Sequence, residues 1–302
     1  MFSAQTTYST GMWPDSVVAA DVNGDGKPDI IVANYGSNNA GVLLNVGNGT
    51  FSAQTTYSTG SSSAPFSVVA VDVNGDNKTD IIVANYGSNN VGVLLNIGNG
   101  TFAAQTTYST GSSSAPVSVV AVDVNGDNKT DIIVANYDSD NVGVLLNIGN
   151  GTFAAQTTYS TDSGSDPYYV AAADVNDDGK CDIIVANYGS NNTGVLLNVG
   201  NGTFAAQATY STGSGSGPVS VVTVDVNGDN KTDIIVANYD SNNVGVLLNI
   251  GNGTFAAQAT YSTGSGSGPY YVAAADVNDD GKCDIIVANY GLNNVGVLLN
   301  NC

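Results

Sequence analysis

A phenylalanine recurs at positions 2, 51, 102, 153, 204 and 255, at intervals of 49, 51, 51, 51 and 51 residues, and the surrounding sequence recurs with it. A unit of that length is one supersecondary element that buries its apolar face only against its neighbours, which leaves a solenoid, a propeller or an open array. A second period of 102 residues lies above the first. Pro167-Tyr-Tyr-Val-Ala-Ala-Ala-Asp174 returns at Pro269 to Asp276, and Pro116-Val-Ser-Val-Val returns at Pro218, as if the array grew by copying a pair.

Each unit holds four strand-like runs, which in the second unit are 67–73, 80–86, 91–97 and 102–108. An acidic loop, Gly87-Ser-Asn-Asn90, Gly98-Asn-Gly100 and Gly111-Ser-Ser-Ser-Ala-Pro116 separate or end them, all strong turn signals. The second and third runs are apolar with little alternation, as suits sheets packed on both faces. Four antiparallel strands repeated radially make a propeller blade. The chain opens on a fourth strand, Phe2 to Tyr8, and closes at the end of a third strand, Leu298 to Cys302. The expectation is one all-β domain over 1–302: a six-bladed β-propeller of four-stranded antiparallel blades, closed by the N-terminal strand completing the last blade, with no sheet edge left open.

The acidic loop is written six times. Its positions 1, 3, 5, 7 and 9 are Asp21, Asn23, Asp25, Lys27 and Asp29; Asp72, Asn74, Asp76, Lys78 and Asp80; Asp123, Asn125, Asp127, Lys129 and Asp131; Asp174, Asn176, Asp178, Lys180 and Asp182; Asp225, Asn227, Asp229, Lys231 and Asp233; Asp276, Asn278, Asp280, Lys282 and Asp284. Side-chain oxygens at 1, 3, 5 and 9, with the main-chain carbonyl at 7, suit a hard cation that takes six to eight oxygens. Six structural Ca2+ sites are expected. All six lysines stand at position 7, where only the carbonyl is needed, and 18 of the 26 Asp are loop positions 1, 5 and 9. Six divalent ions carry twelve positive charges and would bring the formal charge from −20 to −8. Metal-free Asn/Asp turns are the plain alternative, but a turn needs one or two such residues, not four oxygens at fixed spacing. An EF-hand is excluded, because its Glu at position 12 is replaced by Val32 and Val83 and a β-branched run follows each loop.

The strings Asp-Val-Asn-Gly-Asp-Gly-Lys-Pro-Asp-Ile-Ile-Val-Ala-Asn-Tyr and Val-Gly-Val-Leu-Leu-Asn-Ile-Gly-Asn-Gly-Thr-Phe resemble the FG-GAP/VCBS-type repeat. That is the calcium-binding blade also found in integrin α-subunit propellers, which serve cell adhesion, and in some propeller lectins. The resemblance covers the whole chain and implies the fold and a calcium at each loop. It departs in two ways: the Phe-Gly and Gly-Ala-Pro signatures are absent, and integrin propellers have seven blades of longer repeats. It fixes no ligand.

In such a blade the calcium loop and the Gly-Asn-Gly turn share one end, and the crossovers share the other. Recognition is expected on the crossover end, where Trp13, Phe66, Tyr168, Tyr169, Tyr270 and Tyr271 gather with the Asn-Tyr tyrosines that end the second strands. Aromatic faces beside Asn, Asp and Ser suit neutral sugars; packing is the competing role for the same rings. The ligand expected is a glycan or an extracellular protein, and the competing account is a structural or engineered calcium scaffold without one, suggested by how little the repeats differ. Without Arg, Glu or His no acid–base pair stands apart from the repeat, so the chain is expected not to be an enzyme. A net charge of −20 excludes nucleic acid. No apolar run approaches the ~20 residues that cross a membrane. A secreted, extracellular monomer is expected, its signal peptide removed or the domain excised from a longer chain, since none precedes Phe2. A hairpin pairing Tyr290 with Val295 would set Cys283 opposite Cys302 and allow a disulfide, leaving Cys181 free.

Overall fold

The computed structural model describes residues 5–301. Two compact units emerge, one comprising residues up to 121 with 129–132 and 145–156, the other 122–128, 133–144 and 157 onward.

The first unit holds two four-stranded antiparallel sheets. Their strands, in sheet order, are Pro14–Ala20, Asp29–Asn34, Asn39–Leu43 and Thr55–Ser58, then Pro65–Val71, Asp80–Asn85, Asn90–Leu94 and Thr106–Ser109. All six residues of Asp80–Asn85 are buried, which is why the run reads as unbroken hydrophobicity between two polar ends. Between the sheets lies one core, in which Val22, Ile31, Ala33 and Val42 meet Val68, Ile81, Val83, Leu94 and Phe102. The run expected at 102–108 is two elements. Thr101–Phe102 pairs with Asn96–Gly98 in a small hairpin, and Thr106–Ser109 forms the outer strand beside Asn90–Val93. The hairpin turns through left-handed backbone at Asn99 and Gly100, φ +53° and +69°, the conformation that Asn-Gly adopts most readily.

The second unit repeats the pattern with Pro167–Ala173, Asp182–Asn187, Asn192–Leu196 and Ala208–Ser211, then Pro218–Val224, Asp233–Asn238, Asn243–Leu247 and Ala259–Ser262. The third repeat has the same four strands, Pro116–Val122, Asp131–Asn136, Asn141–Leu145 and Thr157–Ser160, its residues divided between the units. The all-β class and the count of six blade-type sheets are as expected.

One expectation is not shown by the described residues and one is corrected. The last sheet has three strands, Pro269–Ala275, Asp284–Asn289 and Asn294–Leu298. Phe2 lies outside the described residues, and Gln5–Tyr8 form no strand but line a hollow with Val17, Ile30, Val32 and Leu43 of the first sheet. Closure of the ring is therefore not observed. Val295 and Val297 are 67% and 51% exposed, where their counterparts Val91 and Val93 are 0% and 1%. The correction is to the disulfide. Asn289 pairs with Asn294 and Ile285 with Leu298, because Tyr290–Leu292 form a 3-10 turn closed by left-handed Asn293 and Tyr290 leaves the strand. That register sets Asn300 beside Cys283, whose carbonyl accepts from Asn300 Nδ2. Cys283 and Cys181 are free thiols, and Cys302 lies outside the described residues.

Candidate functional site

The acidic loops turn their side chains onto their own backbone. In the first, Asp21 Oδ1 accepts from the N–H groups of Asn23, Gly24 and Asp25, and Oδ2 accepts from Gly26 at 2.7 Å. Asn23 Oδ1 accepts from Asp25 N–H, and Asp25 accepts from both the backbone and the ammonium of Lys27. The same Lys–Asp pair recurs as Lys78–Asp76, Lys180–Asp178 and Lys231–Asp229, at 2.7 to 2.9 Å. These lysines hold Asp25, Asp76, Asp178 and Asp229 below the usual carboxylate range. In the sixth loop Asp280 accepts from Asn278 Nδ2 on Oδ2 and from the Lys282 N–H on Oδ1.

Position 9 differs from the others. Asp29, Asp80, Asp131, Asp182, Asp233 and Asp284 are all fully buried. Asp80 accepts from Val73 N–H at the start of its loop (3.0 Å) and from Asn96 N–H at the start of the small hairpin (2.7 Å). The same two bonds form at Asp29, Asp182, Asp233 and Asp284. Asp131 accepts from Asn147 in the same way. Position 9 thus clamps the loop to the hairpin, which the spacing alone does not reveal.

A second device at this end was not read from the sequence. Asn96 Nδ2 donates to Thr79 O in its own repeat and to Val22 O in the preceding one, and Asn147, Asn198, Asn249 and Asn300 do the same to Val73, Val124, Val175 and Val226. The recurring Leu-Leu-Asn before each hairpin was the available signal.

Among the described residues no three acidic side chains stand close enough to share one ion in this arrangement. The chemistry of the donor set nonetheless suits a hard cation. Burial pushes the Asp80 carboxyl up, only partly offset by its two N–H donors, and the carboxylates of Asp76 and Asp72 push it further. Asp182 and Asp233 are pushed up by the same causes. A buried carboxylate among like charges is stabilised by a positive charge.

At the crossover end the rings come together within each unit. In the first, Phe66 packs between Tyr35 and Tyr86 with centroids 6.2 Å from each, and Trp13, 68% exposed and at φ +51°, lies over Tyr35. In the second, Tyr168 contacts Tyr137, Tyr188 and Tyr270, and Tyr270 contacts Tyr239 and Tyr290. The hydroxyls of Tyr168 and Tyr270 are hydrogen bonded. Tyr169 and Tyr271 meet edge to face, and burial followed by Tyr271 pushes the Tyr169 phenol well above its ordinary range. The Tyr188 phenol is pushed up by burial and by Asp240, with which it hydrogen bonds. Trp13, Phe66, Tyr168 and Tyr270 are therefore packed edge-on or tilted against the Asn-Tyr tyrosines, and Tyr169 is packed against Tyr271. Asp240 is a polar partner that the sequence reading did not single out.

The FG-GAP-like repeat family matches residues 2–32, 21–83, 72–134, 123–185, 174–236 and 225–287. No curated protein matches in sequence. Among solved structures the chain is similar to virginiamycin B lyase from Staphylococcus aureus (16% identity, TM-score 0.69, 96% of this chain and 82% of that one). It is similar to a streptogramin B lyase (15%, 0.67, 97% and 84%). It is also similar to an Agrocybe aegerita lectin that recognises non-reducing terminal N-acetylglucosamine (24%, 0.62, 94% and 80%). At these identities the likeness shows the fold. It corrects the expectation that the chain is not an enzyme: the two lyases are enzymes on this fold, so the architecture does not set the chain apart from catalysts. With six consecutive matches running from residue 2 to residue 287, the chain belongs to the FG-GAP-like repeat family.

Proposed function

We propose that this chain is a calcium-holding recognition domain that binds carbohydrate through its crossover end. The observation that carries the reading is the tyrosine cluster of the second unit, in which Tyr168, Tyr188, Tyr239 and Tyr270 meet edge to face or at a tilt beside the carboxylate of Asp240. Ring faces stack on the C–H face of a sugar, and a few placed polar groups fix its hydroxyls. Support comes from the lectin of similar fold, which recognises a terminal N-acetylglucosamine. Trp13 and Phe66 offer the same chemistry in the first unit. Tyr169 is the less available ring, packed on the core of its sheets and edge to face with Tyr271, which is itself 50% exposed.

In each loop the residues at positions 1, 3, 5 and 9 and the carbonyl at position 7 would hold the calcium, which would supply the positive charge that the loop's carboxylates lack. The lysine would then release the position-5 carboxylate to the ion. Constitutive loading is easiest where calcium is abundant, so the domain is placed outside the cell, as a monomer. A glycan array probed in calcium tests the carbohydrate reading. Binding to a defined set of glycans that falls at least tenfold in Tyr270→Ala, with calcium content unchanged, is the expected result. No glycan bound by the calcium-loaded protein, or binding that survives Tyr270→Ala and Asp240→Ala, overturns it.

A further inference from the structure

Each second strand ends in a buried asparagine whose amide is held in one orientation. Asn187 Nδ2 donates to Asn192 Oδ1 (2.8 Å) and Gln207 Oε1 (3.2 Å), and Asn238 Nδ2 donates to Asn243 Oδ1 (2.8 Å) and Gln258 Oε1 (3.3 Å). Those acceptors are themselves oriented. Asn243 Nδ2 donates to Ser241 O, and Gln258 Nε2 donates to Thr212 O. Flipping Asn238 would set its oxygen against two oxygens, so Nδ2 must point there and Oδ1 must point away. Both asparagines are 0% exposed, and Oδ1 of each has no donor. Asn85, also 0% exposed, is held likewise, and Asn289, 6% exposed, keeps the bond to Asn294.

The first repeat shows what the oxygen needs. Its crossover is two residues shorter, and Gly11 N–H donates to Asn34 Oδ1 at 3.0 Å while Met12 N–H donates to Ser37 Oγ at 2.7 Å. The approach is close enough that a Cβ on Gly11 would lie 2.7 Å from Asn34 Cγ. In the longer crossovers the corresponding stretch folds on itself. Ser165, Ser216 and Ser267 donate their N–H groups to the carbonyls of Asp162, Gly213 and Gly264, and the donor is withdrawn from the asparagine. A buried amide oxygen without a partner costs about 1–3 kcal/mol, and four such oxygens at one place in the repeat call for a small donor from outside the chain. The residue at the place of Ser37 is Ser88, Ser190 and Ser241 in these repeats and Leu292 in the last; Ser190 Oγ accepts from Asn192 Nδ2 and Ser241 Oγ donates to Gly215 O.

We propose that Asn85, Asn187 and Asn238 each hold one buried water beneath the crossover, which donates to Oδ1 in the place that the Gly11 N–H takes at Asn34. The waters make the longer crossovers compatible with the same Asn-Tyr turn, and so support the tyrosines at that end. A crystal structure of the full chain at about 1.5 Å tests this. Density for a water at about 2.8 Å from Oδ1 of Asn85, Asn187 and Asn238, with none at Asn34, is expected. A protein donor on those oxygens, or ordered water elsewhere in the interior with none at these three, overturns it. A second arm uses the chain's own contrast: deleting Ser61 and Ser62 shortens the second crossover to the length of the first. The same crystallographic measurement should then show a backbone N–H at Asn85 Oδ1 and the water gone from that site alone; a water that stays, with the crossover shortened, contradicts the exchange.

Discussion

Asn96 reaches back 74 residues to Val22, donating from Nδ2 to its carbonyl at 2.8 Å while the same nitrogen donates to Thr79 O at 2.9 Å. One amide thus ties the loop of its own repeat to the loop of the repeat before. Asn45, its counterpart in the first repeat, donates to Pro28 O.

Replacing Asn96 by Ala is expected to leave two carbonyls without their donor in a buried setting, at about 2 kcal/mol, and to lower the melting temperature by several degrees. Asn45→Ala should cost about half as much, since no bond to a preceding repeat is lost. Thermal melts of the two variants side by side check this; equal losses would mean that the bond to Val22 contributes nothing.

The phenol of Tyr169 gives the fold an alkaline limit. Its folded pKa is raised, by burial first and Tyr271 second, so the unfolded chain releases this proton at a lower pH than the folded one. Stability from this group is intact below about pH 10, the ordinary tyrosine value, and falls as pH rises beyond it. Tyr169→Phe should flatten that loss in urea melts taken from pH 9 to 11. An unchanged pH dependence would show that the phenol ionises as freely folded as unfolded.

Closure by residues 2–8, expected from the sequence, has a test that turns on one glycine. A Cβ on Gly92 would collide with the carboxamide of Gln105, and Gly41, Gly194 and Gly245 stand in the same relation to Gln54, Gln207 and Gln258. At Gly296 a Cβ would meet Asn289 Nδ2 at 3.2 Å and no glutamine. Gln5-Thr-Thr-Tyr-Ser9 repeats Gln54-Thr-Thr-Tyr-Ser58, so a closed ring would bring Gln5 to that place. Gly296→Ala is then expected to destabilise as much as Gly92→Ala. If Gly296→Ala melts like the parent while Gly92→Ala does not, residues 2–8 do not complete the last sheet.

Strands, loops and repeat count were legible because four of the six Asp-Ile-Ile-Val-Ala-Asn runs are buried at every position and all are flanked by residues that turns favour. The straps were not. Asn96 reads locally as a turn residue, and nothing within one repeat says that its partner lies 74 residues away. The cysteine pairing failed on a two-residue shift of register, since a 3-10 turn takes Tyr290 out of the strand and no periodicity announces it. The crossover aromatics were legible as a group; that Phe66 and Tyr168 sit between neighbouring tyrosines depends on packing between repeats.

The account rests most heavily on the six acidic loops as calcium sites. Calorimetric titration of the chelated protein with calcium tests it directly. The account predicts uptake of six equivalents per chain, with a melting temperature that rises as the sites fill, each site adding about 2.7 kcal/mol at a hundredfold excess over its Kd. Folded protein that takes up no calcium, and melts at the same temperature in calcium and in chelator, would contradict it.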